Sequence, residues 1–273
     1  MTEAPPYRAF SPARIGAMVL RQWYVLRSSW PRLLEIVYWP AMSMLTWGFL
    51  QVWVGQQSGA AAMIAGTLLG AVLLWDVLVR GGLGFSITFL EEMYARNIGN
   101  LMMSPLTPLE FIVSLSVMSV IRLMIGLVPV SLIALALFGF NLWGLGFPLI
   151  AFFVNLIFTS WAVSLVVAGL ILRHGLGAES LAWTAIFIMM PLCAVYYPVA
   201  ILPEPVQAVA WALPPSYVFE GMRALLIDGV FRGDLMLWAL ALNALYFSLA
   251  ALLFLRLLEG ARTAGSLLAS SGE

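Results

Sequence analysis

The stretch FLEEMYARNIGNLMMSPLTPLE, residues 89–110, determines how the rest of the chain is interpreted, because it sets charged residues between two long apolar runs. It contains Glu91, Glu92 and Arg96 within six positions. A membrane-spanning helix needs about 20 mostly apolar residues, and the run on each side exceeds that length. The stretch is therefore predicted to connect two spans outside the membrane.

The composition is that of a polytopic membrane protein. Charged residues make up 10% of the 273 positions, against about a quarter in water-soluble domains, and the mean hydropathy is +0.99. The predicted fold class is an all-α polytopic membrane protein, with a six-helix transmembrane domain over residues 33–258. The apolar runs predict spans at 33–55, 61–88, 108–138, 147–172, 181–201 and 235–258.

The distribution of arginine predicts the orientation of these spans, because cytoplasmic loops collect positive charge. The chain contains no lysine. With the N-terminus inside, nine arginines lie on the cytoplasmic side, and only Arg223 and Arg232 lie outside. Both termini, including a tail at 259–273, are thus predicted to be cytoplasmic, as are residues 89–106 and the loop RHGLGAES at 173–180.

Residues 1–32 are predicted to hold a short tail and an amphipathic helix in the inner membrane interface. Ser11 can cap this helix and Pro12 suits its first position. Its apolar stripe consists of Ile15, Val19, Trp23, Leu26 and Trp30, flanked by arginines. Such a helix is typical of an interfacial segment; a short cytosolic helix packed on a partner is the alternative.

A second segment, residues 196–234, is strongly apolar yet broken by proline. The breaks fall at Pro198, Pro203, Pro205, Pro214 and Pro215. The pieces between them are too short to span a bilayer. They are predicted to form re-entrant or interfacial helices that cover the outer face before the sixth span.

Three ionisable residues, Asp76, Arg80 and Arg122, fall within predicted spans, where unpaired charge is costly. Asp76 and Arg80 have the spacing of a same-face pair. If the second and third spans run antiparallel, Asp76 and Arg122 reach similar depth and are predicted to approach each other. The charges are interpreted as a buried latch, with a substrate or proton path as the alternative.

Aromatic residues offer a candidate substrate path. The candidates, in the first span and near the fifth, are Tyr38, Trp47, Phe187, Tyr196 and Tyr197. A lipid-facing or interfacial belt is the competing interpretation.

Catalysis by the chain itself is not expected. One cysteine, Cys193, and one histidine, His174, cannot supply the ligands of a usual metal site. The chain has no GxxxxGK[ST] phosphate loop, so ATP hydrolysis is expected on another subunit. The absence of a polybasic segment argues against nucleic-acid binding.

Within the opening stretch, an apolar stripe of helical spacing and a Glu92–Arg96 pair predict a discrete helix at about 89–104. Thr107 and Glu110 have the spacing of a capping box, with Pro108 at the first helical position, and so predict the start of the third span. An ordinary interfacial hairpin turn is the alternative for the 89–104 segment.

With these features in this order, the chain resembles the permeases of type-2 ABC exporters. The resemblance rests on the EE-x3-R-x2-G-x4-SPLTPLE stretch, on YPVAILPEPVQAVAWALPPSYVFEGMRALL before the sixth span, and on the N-terminal helix. It covers nearly the whole chain. It implies a bacterial inner membrane protein that pairs with a second copy of itself, in contact with membrane lipid, and with two copies of an ATP-binding subunit that holds the ATP and magnesium.

The resemblance also implies roles for particular residues. The 89–104 helix would be the coupling helix, with Glu91, Glu92, Arg96 and Gly99 at the ATPase contact. A smaller second contact would involve Arg173 and His174. The expected cargo is a hydrophobic or amphipathic molecule, either drug-like or lipid. Export of a lipid-linked polysaccharide, ion-coupled secondary transport and a non-transporting assembly or sensor role are the alternatives.

Overall fold

A computed structural model describes residues 10–57 and 61–263, and in these residues the protein is helical with no β-strand. Short 3₁₀ turns occur at Leu142–Leu145, Leu176–Glu179 and Val199–Ile201. The α-helices in chain order are α1 Pro12–Arg27, α2 Trp30–Gln57, α3 Ala61–Tyr94, α4 Ile98–Met103, α5 Pro108–Phe138, α6 Phe147–His174, α7 Ser180–Leu192, α8 Glu204–Trp211, α9 Pro214–Asp228 and α10 Gly233–Thr263.

Five of these helices, α2, α3, α5, α6 and α10, are long and apolar enough to cross a membrane, as in a polytopic membrane protein. The run predicted as the fifth span, 181–201, contains instead the 13-residue helix α7. At 1.5 Å per residue α7 is about 20 Å long, short of the about 30 Å bilayer core. The helix ends because Ala194 takes a left-handed φ of 51° and Pro198 follows soon after. A count of six spans stays a prediction.

Helix α3 is the centre of the bundle. In its most apolar window 83% of the residues are buried, against 22% in α2 and in α10. It packs against α2, α5, α6, α7 and α9. The exposed faces of α2 and α10 are therefore free to meet lipid or another protein.

Close packing of α2 on α5 depends on Gly126. A Cβ atom there would lie 2.9 Å from the backbone carbonyl oxygen of Ile36, so an added methyl group must push the helices apart. We expect Gly126→Ala to lower the free energy of unfolding by about 1–3 kcal/mol. Gly16→Ala is the control, because nothing lies within 4 Å of Gly16 and alanine favours a helix by up to about 1 kcal/mol.

Thermal unfolding of both variants in detergent measures this difference. The melting temperature should fall for Gly126→Ala and stay level or rise for Gly16→Ala. Equal melting temperatures would contradict the backbone contact between α2 and α5.

A buried polar network joins α6 to α10. Thr159 Oγ1 donates to Asn243 Oδ1 at 2.7 Å, and Asn243 Nδ2 donates to Asn155 Oδ1 at 3.0 Å and to the Asn155 carbonyl oxygen at 2.9 Å. Polar side chains that bond across helices in this way stabilise helix pairs in an apolar environment. The network fixes the register of these two helices.

Helix α9 begins deep in the bundle. Leu213 and Pro214 line a cavity together with Thr159 and Tyr246, which lie near the middle of α6 and α10. At the other end of α9, Leu226 packs beside Gly70, in the first part of α3. The helix thus runs from mid-depth to one end of the bundle. A re-entrant path through the outer half of a membrane remains a prediction.

Candidate functional site

The charged end of the bundle is the end at which α3 and α6 finish and α5 begins. The predicted capping box of α5 is confirmed there: the Glu110 amide donates to Thr107 Oγ1 at 3.3 Å, and the Thr107 amide donates to Glu110 Oε2 at 2.8 Å. Pro108 occupies the first turn. These local bonds satisfy two of the amides that a helix start leaves without partners.

Glu110 also fastens α1 to the start of α5. Its side chain is fully buried and accepts hydrogen bonds from the Ser11 amide at 2.7 Å and from Arg14 Nη2 at 2.6 Å. The bond to Glu110 raises the pKa of the Arg14 guanidinium above its usual value. α1 is therefore packed on the protein as well as amphipathic, with Met18, Gln22 and Leu26 buried.

Two further carboxylates complete what we call the ionic clamp. Glu92, at the end of α3, pairs with Arg21 of α1 and accepts from Asn97 Nδ2 at 2.9 Å. Glu91 bridges two cations, with Oε1 at 3.0 Å from Arg32 Nη1 of α2 and Oε2 at 2.8 Å from Arg122 Nη2 of α5. The clamp consists of Glu91, Glu92 and Glu110 with Arg14, Arg21, Arg32 and Arg122, and it joins α1, α2, α3 and α5.

The contacts of the clamp show that two ion pairs predicted from the sequence do not form. The Glu92–Arg96 pair is wrong, because Glu92 binds Arg21 and Arg96 lies beyond the end of α3. The approach of Asp76 to Arg122 is also wrong, because Arg122 reaches along α5 to Glu91. Long arginine side chains commonly extend in this way towards a polar region.

The ion pairs of Arg14 and Arg21 with the acids of residues 89–110 were not predicted from the sequence. A signal for the connection was present: Arg14 and Arg21 are seven residues apart, hence on one side of α1. Glu92 and Glu110 stand on either side of the connection between α3 and α5. Complementary charge on these two elements indicated a contact, although its register could not be deduced.

The predicted helix at 89–104 is two helices. α3 continues to Tyr94, and α4 starts at Ile98. Between them the Asn97 amide bonds the Glu92 carbonyl oxygen at 3.0 Å and the Arg96 amide bonds that of Met93 at 2.9 Å. This is the Schellman pattern of helix ends, in which the residue at the position of Arg96 is usually glycine. Arg96 accordingly has a left-handed φ of 52°.

Replacing Arg96 by glycine should therefore stabilise the turn. The left-handed conformation costs a non-glycine residue about 1 kcal/mol, so Arg96→Gly is expected to raise the free energy of unfolding by about that amount. Ala95→Gly is the control, because Ala95 has no left-handed φ and glycine there should be neutral or destabilising. Chemical unfolding in detergent measures the stability of both variants. The prediction is contradicted if Arg96→Gly is less stable than Ala95→Gly.

Other side chains at the charged end remain exposed. We call Tyr94, Arg96, Asn100, Met103, Arg173 and His174 the docking face. The Tyr94 hydroxyl bonds Glu179 in the turn that follows α6, which holds the Arg173–His174 corner beside the end of α3. Of the residues predicted for an ATPase contact, Arg96, Arg173 and His174 are thus exposed, whereas Glu92 and Gly99 are buried and Glu91 is largely enclosed.

A second cluster lies deeper, where α2 meets the segment that follows α7. The rings of Trp47 and Tyr196 stack with their centroids 4.7 Å apart, and both pack against the hydrophobic core that α3 helps to form. The predicted Asp76–Arg80 pair is confirmed, with Oδ1 and Nε 3.2 Å apart. The structure thus stacks Trp47 on Tyr196 and pairs Asp76 with Arg80 on α3, the helix against which α2 and α7 also pack.

The remaining aromatic candidates do not join this cluster. Tyr38 packs edge-on against Trp39, and Phe187 stacks on Trp183, with both candidates about half exposed. The Tyr197 hydroxyl donates to the Pro191 carbonyl oxygen at 2.9 Å and so secures the end of α7. A substrate path along any of these residues stays a prediction.

Comparison with protein families and curated proteins gives no match from which a function could be inferred, so the function of this chain has to be inferred from its own residues. No model of a protein family matches the chain, and a search of curated proteins finds no match. Among residues 10–57 and 61–263, no group of three or more His, Cys, Asp or Glu side chains could hold a metal ion. The ionic clamp, the docking face and the Trp47–Tyr196 cluster are the features from which a function can be argued.

Proposed function

We propose that the chain is the transmembrane permease subunit of an ATP-driven exporter of the type-2 ABC class, driven by a separate ATP-binding subunit that docks at the charged end. The observation that carries the proposal is the combination of an exposed docking face with the ionic clamp directly behind it. The resemblance of the 89–110 stretch to the coupling region of these permeases adds to it.

The clamp gives the docking face a rigid connection to the spans. α3 is continuous from Ala61 to Tyr94, so a displacement at Tyr94 is carried along a single helix to Asp76. Because the clamp also holds α1, α2 and α5, these elements move with α3. A flexible loop at this place would absorb the displacement, whereas packed helices shift as units.

Arg96 supports an intermolecular role for this face. A left-handed position in a helix-ending turn favours glycine, yet an exposed arginine occupies it and forms no ion pair within residues 10–57 and 61–263. A cation held there at some cost in stability fits contact with a partner surface. Arg96→Gly should therefore raise stability and lower partner affinity, opposite effects that a purely structural role would not produce.

The cargo we propose is hydrophobic or amphipathic, and it passes between two copies of the chain beside the Trp47–Tyr196 cluster. Stacked aromatic rings suit apolar or ring-bearing cargo, and the nearby Asp76–Arg80 pair offers polar groups at one side. A lipid-linked polysaccharide is the alternative cargo, which the same pair of permease copies and ATP-binding subunits would export. The arginine distribution supports the orientation that we propose, with the charged end in the cytoplasm, and the resemblance to type-2 ABC exporter permeases supports a bacterial inner membrane.

Ion-coupled secondary transport is the second candidate, and one observation favours it. Asp76 and Arg80 are largely buried in the middle of α3, the most enclosed helix, and ionisable residues at such depth often serve ion or proton pathways. A proton-coupled protein requires no ATP-binding partner. This difference separates the two candidates.

Purification of the tagged chain from membranes of its native host, followed by an assay of ATP hydrolysis, tests the proposal. We expect an ATP-hydrolysing subunit to co-purify in equal number with the chain. The complex should also hydrolyse ATP in lipid nanodiscs. A chain that purifies alone and drives uptake or efflux with a proton gradient would overturn the proposal in favour of the second candidate.

A further inference from the structure

A cavity of about 320 Å³ lies between the middle of α6 and the middle of α10, beside the start of α9. We call it the slot. Its lining includes Ala162 and Val166 of α6 and Leu249 and Leu253 of α10, together with Met189 of α7 and Pro214 of α9. Neither the clamp nor the Trp47–Tyr196 cluster takes part in it.

We propose that the slot binds one acyl chain of a membrane lipid. Its lining is apolar apart from the hydroxyls of Thr159 and Tyr246, and both hydroxyls already donate within the protein. Thr159 Oγ1 donates to Asn243 Oδ1 at 2.7 Å, and the Tyr246 hydroxyl donates to the Ala212 carbonyl oxygen at 2.8 Å. No donor among the lining side chains is left to select a headgroup or a polar cargo, so hydrocarbon is the matching ligand.

The position of the slot indicates that this hydrocarbon comes from a lipid of the surrounding bilayer. Eight of the eleven lining residues lie towards the middle of α6 and α10, two helices long enough to cross a bilayer, and hence at the depth of lipid tails. The slot opens past Leu249 and Leu253, which are 55% and 39% exposed. A lipid in the surrounding bilayer can therefore insert a chain from the side without crossing a polar region.

The size of the slot fits a chain and excludes a helix. A volume of about 320 Å³ is many times the roughly 10–15 Å³ of such space that one water molecule needs, so a run of several methylene groups fits. An α-helix with its side chains is about 10–12 Å wide, so a helix from a second copy can cover the mouth but cannot enter. An acyl chain also touches Leu213 and Pro214, so it braces the start of α9.

Photo-crosslinking in nanodiscs tests the inference. The bilayer consists of phosphatidylethanolamine and phosphatidylglycerol, with a small fraction of phosphatidylcholine that carries a diazirine in the middle of one acyl chain. We expect the label on peptides that contain Val166 and Leu253. The variant Val166→Phe fills the slot, and Val154→Phe is the matched control on α6, because Val154 is 38% exposed and lies outside the slot.

The expected result is a loss of labelling by about tenfold in Val166→Phe, the change that displacement of about two buried methylenes gives, and unchanged labelling in Val154→Phe. Equal labelling of the two variants, or label spread evenly over exposed α2 and α10, would overturn the inference. So would a covalent dimer formed through Leu253→Cys without any lipid adduct, because a second copy would then cover the slot. None of these outcomes depends on an ATP-binding partner.

Discussion

Glu91→Gln is expected to lower the free energy of unfolding by about 3 kcal/mol, because it leaves the Arg122 guanidinium buried without its counter-ion. Arg122 is only 7% exposed in its side chain, and Glu91 is its ion-pair partner at 2.8 Å. Arg32, the second cation on Glu91, is 48% exposed and contributes little. Unfolding in detergent with increasing denaturant measures the change.

A double-mutant cycle isolates the Glu91–Arg122 contact from other effects. Glu91→Gln combined with Arg122→Gln should show a coupling of about 2 kcal/mol, as residues in direct contact do. Asp76→Asn combined with Arg122→Gln should be additive within about 0.5 kcal/mol. Strong coupling of Asp76 to Arg122, with none between Glu91 and Arg122, would restore the arrangement predicted from sequence and contradict the clamp.

Glu110→Ala is expected to release α1 from the bundle. The substitution removes an ion pair, the hydrogen bond to the Ser11 amide and half of the capping box at Thr107. Loss of a cap and of buried charge-assisted bonds together costs about 3 kcal/mol. Hydrogen exchange of the amides of α1 should accelerate by up to about a hundredfold, since each 1.4 kcal/mol of lost stability is a factor of ten.

The exposed pair between Glu259 and Arg262 provides the control. Its atoms lie 3.2 Å apart, but the two side chains are 64% and 45% exposed, so Glu259→Ala should change stability by less than about 0.5 kcal/mol. Slow exchange throughout α1 in Glu110→Ala would show that the apolar contacts of Met18 and Leu26 hold the helix without the clamp.

Local features of this fold could be predicted because they depend on residues close in sequence. The capping box of Thr107 and Glu110 and the pair of Asp76 with Arg80 each join residues three or four positions apart. The long apolar helices follow from composition and length in the same way. None of these features depends on which distant parts of the chain come together.

The clamp depends on contacts between distant residues, and these could not be deduced. Arg14 meets Glu110 across 96 positions and Arg21 meets Glu92 across 71. Glu92 had a nearer candidate in Arg96, with the spacing of a helical pair, but the chain leaves the helix at Arg96. Helix spacing rules assume that the helix continues, and nothing local marked the turn, because glycine does not occupy it.

The proposed docking face has as many residues as the contact predicted from the sequence, but it is more positively charged because it lacks the two acids. Glu91 and Glu92 lie in the clamp behind it, and Tyr94, Arg96 and Met103 lie on its surface. The sequence assigned both structural rigidity and partner contact to the single helix at 89–104. In the structure the clamp provides the first, and the docking face is available for the second. The acids hold the helices together, and we propose that the exposed residues contact a partner.

ATP hydrolysis by the complex purified through this chain, compared between Met103→Asp and Phe147→Asp, tests the central claim most directly. Both residues are 71% exposed; Met103 lies on the docking face, whereas Phe147 begins α6 at the opposite end of the bundle. We predict that Met103→Asp loses the associated ATPase while the chain stays folded, and that Phe147→Asp retains it. Equal ATPase in the two variants, or none with the unmodified chain, would contradict the account.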